Sequence, residues 1–268
     1  MRCVWEHNGN DTLLYSVDYV GAYARGSSLA SAIAKIEAEV TAYASWAGQA
    51  CGEITDIEIV QEKNSDLQIA DADSDILFDS ERVPLSREEY EELKALVLKS
   101  ARDFYDLYTS VPSKNDSCLP HRRTFYGNVP RTAQEMYEHT KNVNSYYFAE
   151  IGVEVDNEGT IYDCRKRGFE LLEQSIGFLD NAVTEGSYDE LWSLRKVMRR
   201  FLWHDRIHAK AMYRMAVKTF GVLGLDNTFN SSLAKLIFLT DKRSCIPKGY
   251  TTFLLYLIVV LLFSTRVL

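Results

Sequence analysis

The stretch KVMRRFLWHDRIHAKAMYRMA, residues 196–216, lies within the longest helical pattern of the chain, which runs from residue 188 to residue 220. Its two histidines, His204 and His208, are four residues apart. Side chains at this spacing leave the same face of a helix one turn from each other. The stretch therefore predicts a long helix that presents two imidazoles to one metal ion.

Three further helical patterns precede this one, and each has apolar residues at helical spacing. They cover residues 86–107, 132–151 and 161–181. Ser86 followed by Glu89 forms a capping-box pattern at the start of the first. Four amphipathic helices favour an antiparallel four-helix bundle over residues 86–222, whose core can house a metal.

The N-terminal segment has a different pattern and charge. Strand-like residues 12–19, a helix over 29–46, and strand-like runs at 53–61 and 76–78 predict a small β-α-β-β module within residues 1–82. The predicted fold class is thus α+β. Residues 1–110 contain 21 acidic and 9 basic side chains, a formal charge of −12. This charge argues against nucleic-acid binding, which needs clustered cations, and it predicts that the module and the bundle are separate units with few shared core contacts.

A third histidine lies in the second helix of the predicted bundle. His139, within MYEHTKNVNSYYF (136–148), could donate a nitrogen from across the bundle to the ion of His204 and His208. Three neutral imidazoles leave one position of a tetrahedral Zn²⁺ open, and Ni²⁺ or Fe²⁺ accepts the same ligands. The alternative is that these histidines pair with carboxylates and bind no metal.

The quoted segments, with RTAQEMYEHTKNVNSYYFAEIG (131–152), resemble the DinB/YfiT-like superfamily over residues 86–222. The resemblance implies that His139, His204 and His208 are the metal ligands. It also implies a metal-dependent transferase or hydrolase, linked to a low-molecular-weight thiol. Tyr146 and Arg200 share helix faces with these histidines and are the candidate catalytic residues. The alternative function is a non-catalytic protein that binds a metal or a partner.

The module resembles, more loosely, the HicB-like fold over SVDYVGAYARGSSLASAIAKIEAEVTAYASW (16–46), which implies a binding or docking role. The C-terminal extension, 223–268, contains the apolar run TTFLLYLIVVLLF at 251–263. This run predicts a helix that either contacts a membrane through 251–268 or covers the bundle; a frameshifted tail is the third option. Five cysteines without CxxC spacing and an N-terminus without an apolar signal predict a cytoplasmic location. A small-molecule substrate is expected, and a homodimer is compatible with this interpretation.

Overall fold

The computed structural model describes residues 1–69, 73–124 and 127–229. The described part contains a four-stranded sheet, two short hairpins and five α-helices. In chain order the elements are β1 (Arg2–Asn8), β2 (Asp11–Ser16), β3 (Tyr23–Gly26), α1 (Leu29–Ala47), β4 (Glu58–Asn64), α2 (Arg87–Ser110), β5 (Arg123–Thr124), β6 (Gly127–Asn128), α3 (Ala133–Ala149), α4 (Ile161–Leu172), β7 (Thr184–Glu185), β8 (Leu191–Trp192) and α5 (Leu194–Phe220).

The sheet has the strand order β3-β2-β1-β4 and is covered by α1. Strand β1 pairs antiparallel with β2 and parallel with β4. The order along the chain is therefore β-β-β-α-β, and the predicted β-α-β-β order is wrong. Strand β1 was not predicted because one of its buried positions is occupied by Glu6, a carboxylate, which breaks the expected alternation of apolar and polar residues. Residues 76–78, expected to form a strand, have no regular secondary structure. The side chains of Ile76 and Phe78 pack into a small core, but the backbone does not pair with a strand.

The prediction of an antiparallel four-helix bundle over residues 86–222 is also wrong: the described residues form a mixed α/β fold with five helices. Helix α5 packs on both α2 and α3, and α4 packs on the same two helices. Helix α4 ends at Leu172, nine residues before the predicted end, and a left-handed Gly177 (φ +74°) follows in the connection. Helix α5 begins only after Ser193, whose hydroxyl accepts a hydrogen bond from the Lys196 backbone N–H.

A single large hydrophobic core joins the sheet, α1 and the remaining helices. A second, smaller core places Trp203 of α5 among Tyr15 and Phe78. The loop after β2 also touches α5 directly, because a Cβ on Gly21 (φ +96°) would lie 2.5 Å from Leu202 Cβ. The expectation of few shared core contacts is therefore wrong. Boundaries at residues 82 and 222 remain predictions.

The chain after α5 returns along α2. The backbone N–H of Asp226 donates to Ser110 Oγ, and Phe229 stacks on Trp46 of α1 with ring centroids 5.5 Å apart. The predicted apolar helix at 251–263 lies outside the described residues. Within the described ranges, no helix has the length and apolar character needed to cross a membrane.

Candidate metal centre

Two capped helices carry the three histidines. Helix α5 holds His204 and His208 at adjacent turns of its 27-residue length. Helix α3 begins with a capping box between Thr132 and Glu135, and it presents His139 two turns further along. Because α3 packs against α5, the two helix faces meet at these residues.

The structure brings His139, His204 and His208 together. One ligand nitrogen from each lies within 4.8 Å of the others. The ring centroids are 5.2 Å apart for His139 and His204, 4.7 Å for His139 and His208, and 4.4 Å for His204 and His208. Nitrogens around a tetrahedral Zn²⁺ are about 3.3 Å apart, so small side-chain rotations suffice for all three to reach one ion.

Burial keeps these imidazoles neutral. His204 is 7% exposed, and its Nδ1 has no hydrogen-bond partner. Its pKa is held well below the usual value by burial, and the neighbouring His208 and His139 add to that effect. Partial desolvation by the surrounding protein lowers the pKa of His139, the most exposed of the three, and burial lowers that of His208 to about 3. Neutral imidazoles offer lone pairs, and an unpartnered buried nitrogen is an expected position for a ligand atom, so this donor set fits a divalent metal.

The three side chains differ in access to solvent. His139 is exposed, His208 is half-buried and His204 is buried. The site therefore opens to solvent on its α3 side and is closed towards the core. Among the described residues, the group contains no fourth histidine, cysteine or carboxylate. Bound by these three residues alone, an ion would keep a coordination position for an external ligand.

The two candidate catalytic residues lie against the same pair of rings, Tyr147 and Trp192. Arg200 lies one turn before His204, and its guanidinium is 5.4 Å from the ring centroid of Tyr147. Tyr146 packs against Trp192 (5.9 Å between centroids) and Tyr147 (5.5 Å). Burial, followed by the nearby Glu150 carboxylate, raises the pKa of Tyr146, so its hydroxyl stays protonated at neutral pH.

Tyr147, whose ring contacts His204, was not among the residues predicted from the sequence. The two rings meet edge to face, with centroids 6.1 Å apart. Tyr147 is 2% exposed and also lies under Arg200. Its position on α3, eight residues after His139, rotates it about 80° from the face of His139, whereas Tyr146, seven residues on, lies closer to that face; the spacing therefore favoured Tyr146.

A buried polar network behind the histidines was also missed. Arg165 of α4 forms an ion pair with Asp205 of α5, with 2.5 Å between Nη1 and Oδ2, and both side chains are fully buried. Ser100 Oγ of α2 donates to the same carboxylate at 2.6 Å, and Arg165 Nε donates to Asn144 Oδ1 of α3 at 3.0 Å. Four helices are thus joined next to His204. A single arginine and a single aspartate carry no periodic signal, so the sequence alone did not indicate this pairing.

Surface cavities formed by the described residues lie away from the three histidines, and two of them are well defined. The larger, about 470 Å³, is lined by residues of the N-terminal unit such as Tyr19 and Gln49. The smaller, about 260 Å³, lies between β4 and the segment that includes Leu191. Neither is lined by the three histidines, so cavity size does not identify the candidate centre.

The chain matches no protein-family model, no curated protein and no solved structure. The resemblances to the DinB/YfiT-like superfamily and to the HicB-like fold therefore remain predictions.

Proposed function

We propose that this protein is a metal-dependent enzyme that binds one divalent ion, with zinc as the first candidate, through His139, His204 and His208. One observation carries the proposal: nitrogens of three histidines from two helices lie within 4.8 Å of one another. Nickel and ferrous iron are the alternatives that accept three imidazoles.

The residues of the chain have distinct tasks in this proposal. The three neutral imidazoles hold the ion, and burial keeps them unprotonated at neutral pH. Tyr147 limits the rotation of His204 by packing against its ring. When bound, the ion would supply Lewis-acid chemistry. The solvent-exposed position of His139 gives a substrate a route to the site.

A transferase or hydrolase acting on a small molecule is the function that this arrangement favours, with a low-molecular-weight thiol as the co-substrate of a transferase. Zinc held by three protein ligands is typical of catalytic sites, whereas structural zinc has four. The cytoplasmic location belongs to the same proposal, and Cys3, Cys51, Cys118 and Cys164 are free thiols in the described residues.

Metal analysis of the purified full chain tests the binding step. We expect one equivalent of zinc in the wild type and a loss of most of it in His139→Ala, His204→Ala and His208→Ala. His121→Ala is the matched control, because His121 is exposed and lies outside the group. Equal metal content in all five proteins would refute the proposal.

Cobalt-loaded protein separates the two reaction classes. A thiol-linked transferase should show a sulfur-to-cobalt charge-transfer band on addition of a small thiol, which should disappear in His204→Ala. If metal binds but small thiols produce no such band, the hydrolase is favoured. If metal binds and neither thiols nor added anions change the spectrum, the coordination position is closed and the non-catalytic alternative is favoured.

A further inference from the structure

Three of the five buried cations on and around α5 are matched by carboxylates. Arg165 pairs with Asp205, Lys196 pairs with Glu190 at 2.8 Å, and Arg199 pairs with Glu81. These cations are each at most 2% exposed. The sequence thus provides a counter-charge for each of these three buried cations.

Arg200 differs from these three. It is 9% exposed, and no carboxylate in the described part of the chain lies within ion-pairing distance of its guanidinium. Its Nη1 donates to the backbone carbonyl of Ser74, while its buried Nε has no hydrogen-bond partner. The Glu190 carboxylate, which attracts this guanidinium from farther away, already pairs with Lys196. A buried charge without a counter-charge of its own is unfavourable, and an unsatisfied charged donor adds to that cost.

Aromatic rings surround this guanidinium. Its Cζ lies 5.0 Å from the Trp203 ring centroid, 5.4 Å from that of Tyr147 and 5.6 Å from that of Trp192. Cation–π attraction offsets part of the cost but supplies no formal negative charge. An anionic group that enters the site would supply it.

The same guanidinium lies close to the candidate metal centre. Arg200 and His204 are four residues apart on one helix, a separation of about 6 Å along the axis. Tyr147 contacts both side chains. A small molecule could therefore touch Arg200 and the open coordination position together.

Arg206 shows that an arginine without a carboxylate partner is not enough to indicate such a site. Its Nε and Nη1 are also buried without partners, but its guanidinium faces Tyr43 and Trp46 of α1. It is two residues from His204, so it projects from another face of α5. Among the residues that the structure describes, only Arg200 combines the missing counter-charge with the helix face of the histidines.

We propose that Arg200 binds the carboxylate of a small organic substrate whose other end reaches the ion held by the three histidines. This inference rests on the proposed function. A carboxylate fits better than a phosphate, because one guanidinium balances one negative charge and the surrounding rings leave a second charge uncompensated. The aromatic surroundings also favour an apolar or aromatic group next to the carboxylate.

Ligand binding to the metal-loaded full chain tests this site. Phenylacetate and its neutral analogue phenylacetamide serve as probes, with dissociation constants from calorimetry and metal content measured in parallel. We expect phenylacetate to bind at least tenfold more tightly than phenylacetamide, and Arg200→Met to remove that preference while retaining the metal. Arg214→Met is the control, since Arg214 is exposed on the same helix; it should bind like the wild type.

Arg200→Lys keeps the charge and provides a second variant if Arg200→Met fails to fold. It should retain part of the preference for phenylacetate. Inorganic phosphate, as a third probe, should bind more weakly than phenylacetate. If the wild type holds its metal but does not distinguish phenylacetate from phenylacetamide, or if Arg200→Met distinguishes them equally well, the carboxylate site is refuted and the metal proposal stands. If no metal binds but the Arg200-dependent preference persists, the anion site is supported and the metal proposal fails.

Discussion

Replacement of Asp205 by alanine should strongly destabilise the protein. The carboxylate accepts two hydrogen bonds from Arg165, at 2.5 and 3.2 Å, and one from Ser100 at 2.6 Å. Both charged side chains have an exposure of 0%. Alanine would leave the guanidinium buried among four helices without a counter-charge.

The expected magnitude follows from that burial. Removal of one partner of a buried ion pair costs about 3–5 kcal/mol, mostly because the remaining charge stays desolvated. This is a large share of the about 5–15 kcal/mol by which a typical domain is stable. The double variant Arg165→Met with Asp205→Leu removes both charges, so it should recover most of the loss.

Urea denaturation in the presence of a chelator measures these differences without a contribution from metal binding. The control is Lys166→Ala, since Lys166 forms an exposed pair with Glu170 on α4 and its removal should barely move the midpoint. If Asp205→Ala lowers the free energy of unfolding by less than about 1 kcal/mol, a value typical of ordinary substitutions, the ion pair does not stabilise the packing of the four helices. A double variant less stable than the single one would contradict the argument as well.

Three other outcomes are expected. Since the pKa of His208 is near 3 in the folded chain and 6.5 ordinarily, the unfolded chain binds the proton first on acidification. This residue alone should lower the stability of the metal-free protein by about 2 kcal/mol between pH 7 and pH 5, and the lowered pKa values of His204 and His139 act in the same direction; His208→Asn should therefore reduce the slope in urea titrations. Gly168→Ala would place a Cβ 2.1 Å from the Phe148 ring and should cost about 1–3 kcal/mol, whereas Gly52→Ala, with open space around it, should leave the thermal midpoint unchanged. Phe229→Ala should lower stability by about 3–5 kcal/mol in thermal unfolding, because the ring is 2% exposed; an unchanged midpoint would show that the segment after α5 does not pack on the core.

The sequence predicted the local features well and the packing poorly. Capping residues such as Ser86 and Thr132 start helices where expected, because a cap depends only on neighbouring residues. Helix periodicity likewise placed His204 and His208 on one face, and His139 meets them because α3 and α5 are neighbours.

Long-range partners were not predictable in the same way. Glu6 appears polar in the sequence, yet its carboxylate is buried because Tyr15 and Ser74 donate to it. That donor set includes a residue 68 positions away. For the same reason the sequence did not predict the ion pair of Arg165 and Asp205 or the surroundings of Arg200. No periodic pattern indicates which carboxylate will lie next to a buried cation.

The contact between Gly21 and Leu202 restricts how the two parts of the chain can evolve. A loop of the N-terminal unit rests against α5 with no room for a methyl group, and the left-handed φ of Gly21 further restricts that position to glycine. Exchange of residues 1–82 for a different sheet of similar size by recombination would therefore have to reproduce this fit. Trp203 also packs between Tyr15 and Phe78 in the small core. Because of these two contacts, substitutions in one part of the chain have to be matched by substitutions in the other.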